Sequence, residues 1–498
     1  MVMHTNRGEP TMPIAFEGQG PTRNYLSAER VNISDEVRAQ LAGVCEITAD
    51  TATIAESSRD WWPLAMHWAR GNAVGSLASV VARPTSTDEV SAVLRICNAA
   101  RIPVTAAGGR SGVLGASIPV HGGVSLDMTA ITGIRSLDAT SMTVDVAPGM
   151  FGDVFEDELR DKYGLTCGHW PQSIALSTVG GWLACRGAGQ LSGKYGKIED
   201  IVVGLDVVLA DGTMIKTGGA PRSAVGPDLT QLFVGSEGTL GVITGARLRV
   251  HALPDHSSKA AYGFESFVDA LDAMRKCVHR GAHPAVFRLY DPSEAHRNYE
   301  TGSLAVLLVL DEGDAELVGA SMRVIAQECE SAERLDDSLV DKWLGHRNDV
   351  SALQALVSRD IVVDTMEIAA PWAKLPALYD AVRAAILGVE HALVATAHQS
   401  HSYADGGCLY FTFAARPPVD EKDKCYRAMW DAGVVAVLSN GGALSHHHGV
   451  GLHRSRYVAE ALGDAFGVLQ TTKNALDPSG ILNPGKLGLA SPWGPSGW

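Results

Sequence analysis

Glycine-rich turns set among β-forming residues are where this sequence can do chemistry. One run reads CGHWPQSIALSTVGGW, a second GSEGTLGVIT (235–244), and a third, AAGGRSGVLGAS (106–117), follows directly on an expected strand. Glycine lets backbone N–H groups reach a ligand with no Cβ between them, and small hydroxyls stand where main chain would meet something flat and polar. Together the three runs suit a large dinucleotide cofactor held mostly by main chain. Taken alone, the third reads equally as a pyrophosphate cradle or as a tight strand-to-loop turn. It matches neither GxGxxG nor the Walker pattern, which argues against a Rossmann NAD site.

A different chemistry is offered by SHHHGVG, with His446, His447 and His448 in a row. Successive side chains diverge, so one or two of the three can face a given site. They suit proton carriage near neutral pH, donation to an anionic substrate or metal ligation, against the plain alternative of a surface run.

The elements that must position these residues fall into two textures. From about Ser76 the sequence gives a strand, then a helix over TDEVSAVLRICNAA with Ser86 and Glu89 as a capping box. Strands IPVTAA, GVSLDM and SMTVDVAPG follow, then a helix around FGDVFEDELRDKYG. The segment IVVGLDVVLADGTMIKT reads as a hairpin turning at Asp211-Gly212, and RLRVHALPD closes the set. This is α+β with small sheets, unlike a regular βαβ alternation. A second pattern, from about Ser257 to Leu438, alternates helices with strands of an expected antiparallel sheet, laid as a cap over the first domain. The expected organisation is a flexible arm over 1–30, a cofactor domain over 31–255, a cap over 256–438, and a segment over 439–498 that returns to the cofactor domain.

Bulk properties narrow the function. The 498 residues suffice for several sizeable cores, and a net charge of −15 argues against a nucleic-acid surface or a polybasic membrane tether. Eight cysteines without CxxC spacing suit reduced thiols in the cytoplasm. No secretory leader and no apolar run of transmembrane length is read.

The order of glycine loop, PxSxxxSTVGGW and GSEGTLGVIT resembles the PCMH-type FAD-binding fold of the vanillyl-alcohol-oxidase-like flavoproteins. Within it the chain most resembles the alkyldihydroxyacetonephosphate synthases, through CGHWPQSIALSTVGGW, GPDLTQLFVGSEGTLGVIT, FRLYD, AAPW, YADGGCLYF and NGGALSHHHGVG, over roughly residues 75–490. The resemblance implies a PCMH-type domain of two small α/β subdomains plus an antiparallel-sheet α/β cap. It implies FAD, with Gly108, Gly109, Arg110, Ser111, Gly112 and Ser117 at the pyrophosphate. Pro171, Ser173, Ser177, Thr178, Gly180 and Gly181 would line the isoalloxazine. Glu237, Thr239, Gly241 and Ile243 would complete the contacts, and Ala107 and Lys486 join the cofactor set. Some relatives tether the flavin through a His near the first loop; Arg110 and Ser111 stand here, so the FAD is expected to be non-covalent.

The resemblance also assigns catalytic roles. Tyr410 matches a tyrosine that handles the substrate proton. A phenol with a pKa of about 10 is a poor base unless cations depress it, and His398 and His401 in AHQSHSY stand close enough in sequence to supply that field. A satisfied core tyrosine is the alternative. Arg288 in FRLYD matches a functional arginine that would clamp a phosphate or carboxylate, or else form an interdomain salt bridge. His446, His447 and His448 match the same triplet beside the flavin. One departure is that the synthases' further arginine falls, in ungapped register, on Leu353, with Arg359-Asp360 six residues later. The chain also lacks the HxGDGNLH pattern of metal-dependent D-2-hydroxyacid dehydrogenases, having Tyr403 and Tyr410 at the histidine positions and His447 at the glutamate, so no metal is expected.

The expected function is an FAD-dependent oxidoreductase, an oxidase or dehydrogenase acting on a hydroxylated carbon of a small or lipid-like polar substrate, with flavin N5 as the reactive centre. The alternative is an alkylglycerone-phosphate synthase, in which a fatty alcohol replaces an acylate with no net redox change. A non-catalytic flavoprotein is the third reading. A cytoplasmic homodimer is implied, with no nucleic-acid partner and an unspecified electron acceptor.

Overall fold

The computed structural model describes residues 14–18 and 20–498. Its sheets are built from short apolar runs whose periodicity decides which faces are buried. In a four-stranded sheet ordered Glu46–Thr48, Val80–Arg83, Val124–Asp127, Val104–Ala107, the last three strands run parallel. The sequences VVA, VSL and VTA are almost continuously buried, as parallel strands covered on both faces require. The helix Thr87–Ala100 covers this sheet through Val90, Val93, Leu94 and Cys97, a spacing of three and four that makes one apolar stripe. Its N-cap Ser86 accepts from the Glu89 N–H at 3.2 Å, while the Glu89 carboxylate accepts from the Thr85 N–H at 2.7 Å. The expected capping pair is therefore displaced by one residue on its return arm.

A five-stranded antiparallel sheet follows, ordered Met214–Lys216, Val202–Val208, Val242–Arg249, Thr143–Val146, Ile134–Asp138. The expected hairpin closes at Asp211-Gly212. Gly212 has φ +83°, the Asp211 carboxylate accepts from the Thr213 N–H at 2.8 Å, and Thr213 returns its carbonyl to the Leu209 N–H at 2.9 Å. The runs GVIT and RLRV fall on one strand, Val242–Arg249, so the GSEGTLG turn feeds straight into the sheet.

The cap is a seven-stranded antiparallel sheet ordered Glu333–Leu335, His256–Phe264, Ala305–Gly313, Val286–Tyr290, Ala392–Ser402, Gly406–Ala415, Val362–Pro371. Side chains alternate across a strand. Phe287, Leu289, Met366, Ile368, Ala397, Leu409, Phe411 and Phe413 accordingly share the core that includes the helices Phe267–His279, Leu375–Leu387 and Lys422–Ser439. The intervening residues, Arg288, Tyr290, Thr365, Glu367, His398, Ser400, Tyr410 and Thr412, take the other face. Four of these strands supply one cross-strand row, with Tyr290 opposite His398, His398 opposite Tyr410 and Tyr410 opposite Glu367.

Of the stretch expected as a flexible arm, residues 1–13 and 19 lie outside the described residues, and the rest touches the first domain at a few points. Arg23–Asn24 pairs in parallel with Ala73–Val74, Ile14 and Leu26 are buried, and the Arg59 guanidinium lies 4.3 Å from the Phe16 ring centroid. Burial of Ile14 and Leu26 favours these contacts.

At the other end the chain returns to the first domain. Ile481 accepts from the Val104 N–H at 2.8 Å, and Asn483 donates to the Val104 carbonyl at 2.8 Å. Lys473, in the helix Ala465–Leu476, anchors this return: its buried Nζ donates to the carbonyls of Thr239 and Leu482 at 2.8 Å each and to Asp477 at 2.5 Å. Removing one partner of a buried ion pair costs about 3–5 kcal/mol because the other charge is left uncompensated. We therefore expect Lys473→Ala to lose about that much in urea unfolding, and Lys473→Met with Asp477→Leu to recover most of it.

Candidate functional site

The three glycine turns and the polar face of the cap enclose a cavity of about 1080 Å³. Close packing builds its floor. A Cβ on Gly109 would overlap the Leu176 carbonyl oxygen, and one on Gly108 would overlap Thr178 Oγ1, so the first loop and the STVGGW turn touch through their glycines. Thr178 caps the short helix Val179–Cys185, and its neighbour Ser177 accepts from Trp182 Nε1 at 2.7 Å. Between these turns stands Arg110, held at φ +53°. Its Nε and Nη2 are buried with no partner among the described residues, and the Asp127 carboxylate lies 3.8 Å from Nη1. A buried guanidinium with unspent donors beside a glycine cradle fits a doubly charged pyrophosphate.

Of the residues expected to hold the cofactor, Ala107, Gly108, Gly109, Arg110, Ser111, Gly112, Ser117, Pro171, Ser173, Ser177, Thr178, Gly180, Gly181, Glu237, Gly241 and Ile243 line this cavity. Two do not. Thr239 spends its hydroxyl on the Ser236 carbonyl at 2.7 Å, inside its own turn. Lys486 lies fully buried behind the first loop, donating to the Ile118 carbonyl at 2.7 Å, and burial pushes its pKa down to about 7. Glu237 lines the cavity, but its carboxylate is engaged by the N–H groups of Val450 at 2.6 Å and Gly451 at 2.8 Å. It holds the C-terminal loop as much as any ligand.

The histidine triplet is fixed from the cap side. Glu367 Oε1 accepts from the Ser445 hydroxyl at 2.6 Å and from the N–H groups of His446, His447 and His448 at 3.2, 3.0 and 2.7 Å. Its other oxygen pairs with Arg454, which is also wholly buried. Burial alone would raise the Glu367 pKa, but Arg454, His448 and these donors hold it well below the usual carboxylate range. The loop's geometry turns His447 and His448 into the cavity wall and His446 away from it. His446 sets Nε2 3.0 Å from the Tyr403 hydroxyl and gives its carbonyl to Lys197 Nζ at 2.7 Å. His401, His446 and His447 bring one ring nitrogen each to within 4.8 Å of one another, a grouping able to hold a metal ion that the sequence reading, which expects none, did not see.

Tyr410 lines the cavity with its ring stacked on His398, centroids 4.7 Å apart, and donates to Thr365 Oγ1 at 3.0 Å. The two imidazoles expected to supply a cationic field do not supply one. Burial pushes the phenol well above its ordinary value against the pull of Arg288, and burial pushes His398 down to about 4 and His401 well below the usual imidazole range, which favours the neutral rings. That corrects the expectation of an activated tyrosine base. Arg288 does reach the cavity, donating through Nε to the Tyr290 hydroxyl at 2.7 Å and through Nη2 to His398 Nε2 at 2.7 Å.

The lining also holds residues the sequence reading missed. Arg297, Lys342 and Arg347 stand there with apolar Val350 and Leu356, next to Leu353. Leu353, which stands in ungapped register at the synthases' further arginine, lines the cavity, while Arg359-Asp360 does not; Asp360 instead pairs with Arg70 and Lys422 at 2.6 Å each. The missed residues come from the cap helices Pro292–Tyr299, Ser338–His346 and Ser351–Val357 and the residues that flank them, where no motif marks them.

A two-subdomain α/β floor, a cofactor-sized cavity walled by glycine turns and a seven-stranded cap define a PCMH-type flavoprotein. An FAD binding domain model matches residues 78–218, and a model of the C-terminal domain of FAD linked oxidases matches residues 253–487. The FAD-linked oxidoreductase YgcU of Escherichia coli (strain K12) is 30% identical over 485 residues, covering 93% of this chain and 99% of that one. An alkyldihydroxyacetonephosphate synthase of Dictyostelium discoideum is 28% identical over 83% of this chain and 74% of its own. The crystal structure of p-cresol methylhydroxylase with substrate bound superposes with a TM-score of 0.76 at 16% identity, covering 93% of this chain and 99% of that one. The chain belongs to the FAD-linked oxidoreductases, and FAD is its cofactor.

The Glu367 clamp has a pH signature. A carboxyl held low in the folded state contributes stability that is fully present above its unfolded pKa of about 4.3 and is lost as pH falls toward the folded value. Urea unfolding of the wild type is therefore expected to weaken as pH drops from about 5 to 3. Glu367→Gln should flatten that dependence and cost about 3–5 kcal/mol at pH 7, since Arg454 would be buried without its counter-charge.

Proposed function

We propose that this protein oxidises a hydroxylated carbon of an anionic, small or lipid-like substrate bound between the flavin and the cap. The observation that carries the reading is Arg288, a buried cation held at the cavity by Tyr290 and His398 with no carboxylate within ion-pair distance among the described residues. Its guanidinium is the natural anchor for a phosphate or carboxylate. Arg297, Lys342 and Arg347 on the cavity lining favour binding of the same charge, and Val350, Leu353 and Leu356 give an alkyl portion somewhere to lie. When bound, FAD supplies the two-electron acceptor. The chain's own contribution is to orient the substrate, to exclude water with Tyr410, His447 and His448, and to take up the hydroxyl proton. The absence of a His or Cys from Gly108–Gly112 supports non-covalent FAD. The synthase relatives carry with them the further proposal of a homodimer, and eight free cysteines support a reducing, cytoplasmic setting.

The apolar stretch beside these cations also favours a second reading, an ether-lipid synthase working without net redox change. Anaerobic mixing separates the two. Bleaching of the oxidised flavin by glycolate, D- or L-lactate or glycerol 3-phosphate is the expected result, and Arg288→Met should weaken binding of that anion about 10- to 150-fold, the equivalent of one charged hydrogen bond. A flavin that stays oxidised throughout, with ether product formed from an acylated dihydroxyacetone phosphate and a fatty alcohol, would overturn the oxidoreductase reading. Acid precipitation should leave all the flavin in the supernatant; colour retained in the pellet would point to a tether, for which His169, with both ring nitrogens buried on the cavity wall, is the candidate.

A further inference from the structure

His398 is connected on both ring nitrogens, and the partners fix its tautomer. Arginine has no acceptor, so Nε2, 2.7 Å from Arg288 Nη2, must carry the lone pair. The ring proton is then on Nδ1, which faces Glu294 Oε1 at 3.1 Å. Glu294 comes from the helix Pro292–Tyr299, whose cap Asp291 accepts from the Glu294 N–H at 2.8 Å. Burial would raise the Glu294 carboxyl, but His398 and Arg288 outweigh it and keep it ionised. Its second oxygen, Oε2, is buried with no partner among the described residues. All three side chains line the cavity, and the His398 ring lies flat against Tyr410.

A carboxylate behind an imidazole, with the far nitrogen facing substrate, is the arrangement that lets histidine take a proton and be stabilised as the imidazolium. In the resting protein that nitrogen is occupied by a guanidinium, whose charge disfavours protonation. We infer that Glu294 and His398 are the general base of this site, masked by Arg288 until the anionic group of the substrate draws the guanidinium away. The inference rests on the oxidoreductase reading. In the step, the substrate O–H bond breaks and its proton goes to His398 Nε2. The O–H electron pair becomes the carbonyl bond, and the hydrogen and two electrons of the neighbouring C–H bond pass to the oxidised flavin. Base strength is thereby coupled to occupancy: without an anion on Arg288, the imidazole is a weak base.

The groups facing His398 are few. Arg288 and Tyr290 come from the strand Val286–Tyr290, Glu294 and Arg297 from the following helix, Tyr410 from the neighbouring strand, and His401 from its own. Moving Arg288 leaves Glu294 as the nearest charge, so the His398 pKa must rise from its resting value of about 4.

Two measurements test this on the FAD-loaded protein. With ¹⁵N-histidine labelling, and His398→Gln to assign the signal, titration with inorganic phosphate or acetate should raise the His398 pKa in a saturable way in the wild type and not in Arg288→Met. A His398 signal that ignores saturating anion overturns the unmasking. With whichever hydroxy anion bleaches the flavin, His398→Gln should slow flavin reduction about 10²- to 10⁴-fold with the substrate's apparent Kd within a few-fold. Glu294→Gln should slow it less and move the acidic limb of the pH profile. A defect confined to apparent affinity would mean His398 only shapes the cavity, and would overturn the base. If no hydroxy anion bleaches the flavin, the oxidoreductase reading fails, while the ¹⁵N titration still decides whether an anion frees His398.

Discussion

One buried carboxylate organises the whole reaction side of this protein. Glu367 sits on a cap strand, yet most of its partners belong to the C-terminal loop: the Ser445 hydroxyl, three consecutive histidine N–H groups and the Arg454 guanidinium. Leu444 and Leu452 give the two ends of this loop an apolar anchor, but the polar stretch between them has none. The negative charge supplies one, because charge-assisted hydrogen bonds in a dry interior are individually about twice as strong as neutral ones. Glu237 does the same from the FAD domain, through the N–H groups of Val450 and Gly451. The loop is therefore pinned by one carboxylate from each wall of the cavity, and its conformation cannot change without breaking contacts to both domains.

From that constraint the division of labour follows. The floor has little freedom, since glycines 108 and 109 are packed against Leu176 and Thr178 and the first glycine loop extends directly from a parallel strand. The roof has more, because a cap strand can present any side chain on its cavity face without disturbing the apolar face that carries stability. Tyr290, His398 and Tyr410 occupy adjoining positions in one cross-strand row and Arg288 stands two residues from Tyr290, so substrate preference can change there while Phe287, Leu289, Phe411 and Phe413 stay buried. Function and stability occupy opposite faces of the same strands.

The same period-2 logic explains what was legible in the sequence. Glycine turns, the Asp211-Gly212 hairpin and the Ser86 cap are local devices, recognisable because their residue types are dictated by backbone geometry. Motif likeness located Arg288, Tyr410 and the triplet for a similar reason. Glu294, Thr365 and Glu367 are ordinary polar residues until the register of four strands and the return of the C-terminal loop bring them together, and no window of sequence contains that information. Lys486 shows the converse error: a lysine in the NPGKLG run was expected in the cofactor set, yet its chain position puts it behind the loop, against a carbonyl. In the N-terminal stretch, polar composition hid the contacts that Ile14, Phe16 and Leu26 make.

Burial sorts the charges that remain in the cavity into permanent and conditional ones. Desolvation pushes His398, His401 and His447 toward the neutral imidazole and Tyr410 toward the neutral phenol, so at ordinary pH these groups contribute hydrogen bonds and no field. Guanidinium groups resist the same pressure because their intrinsic basicity lies far above it. Arg110 at the floor and Arg288 at the roof are thus permanent positive charges on opposite walls of the space, one suited to a pyrophosphate and the other to a substrate anion. A neutral substrate would leave Arg288 spending its donors on His398, and the imidazole would stay a poor proton acceptor. Selectivity for an anion and readiness to accept a proton are then two consequences of the same hydrogen bond between Arg288 and His398.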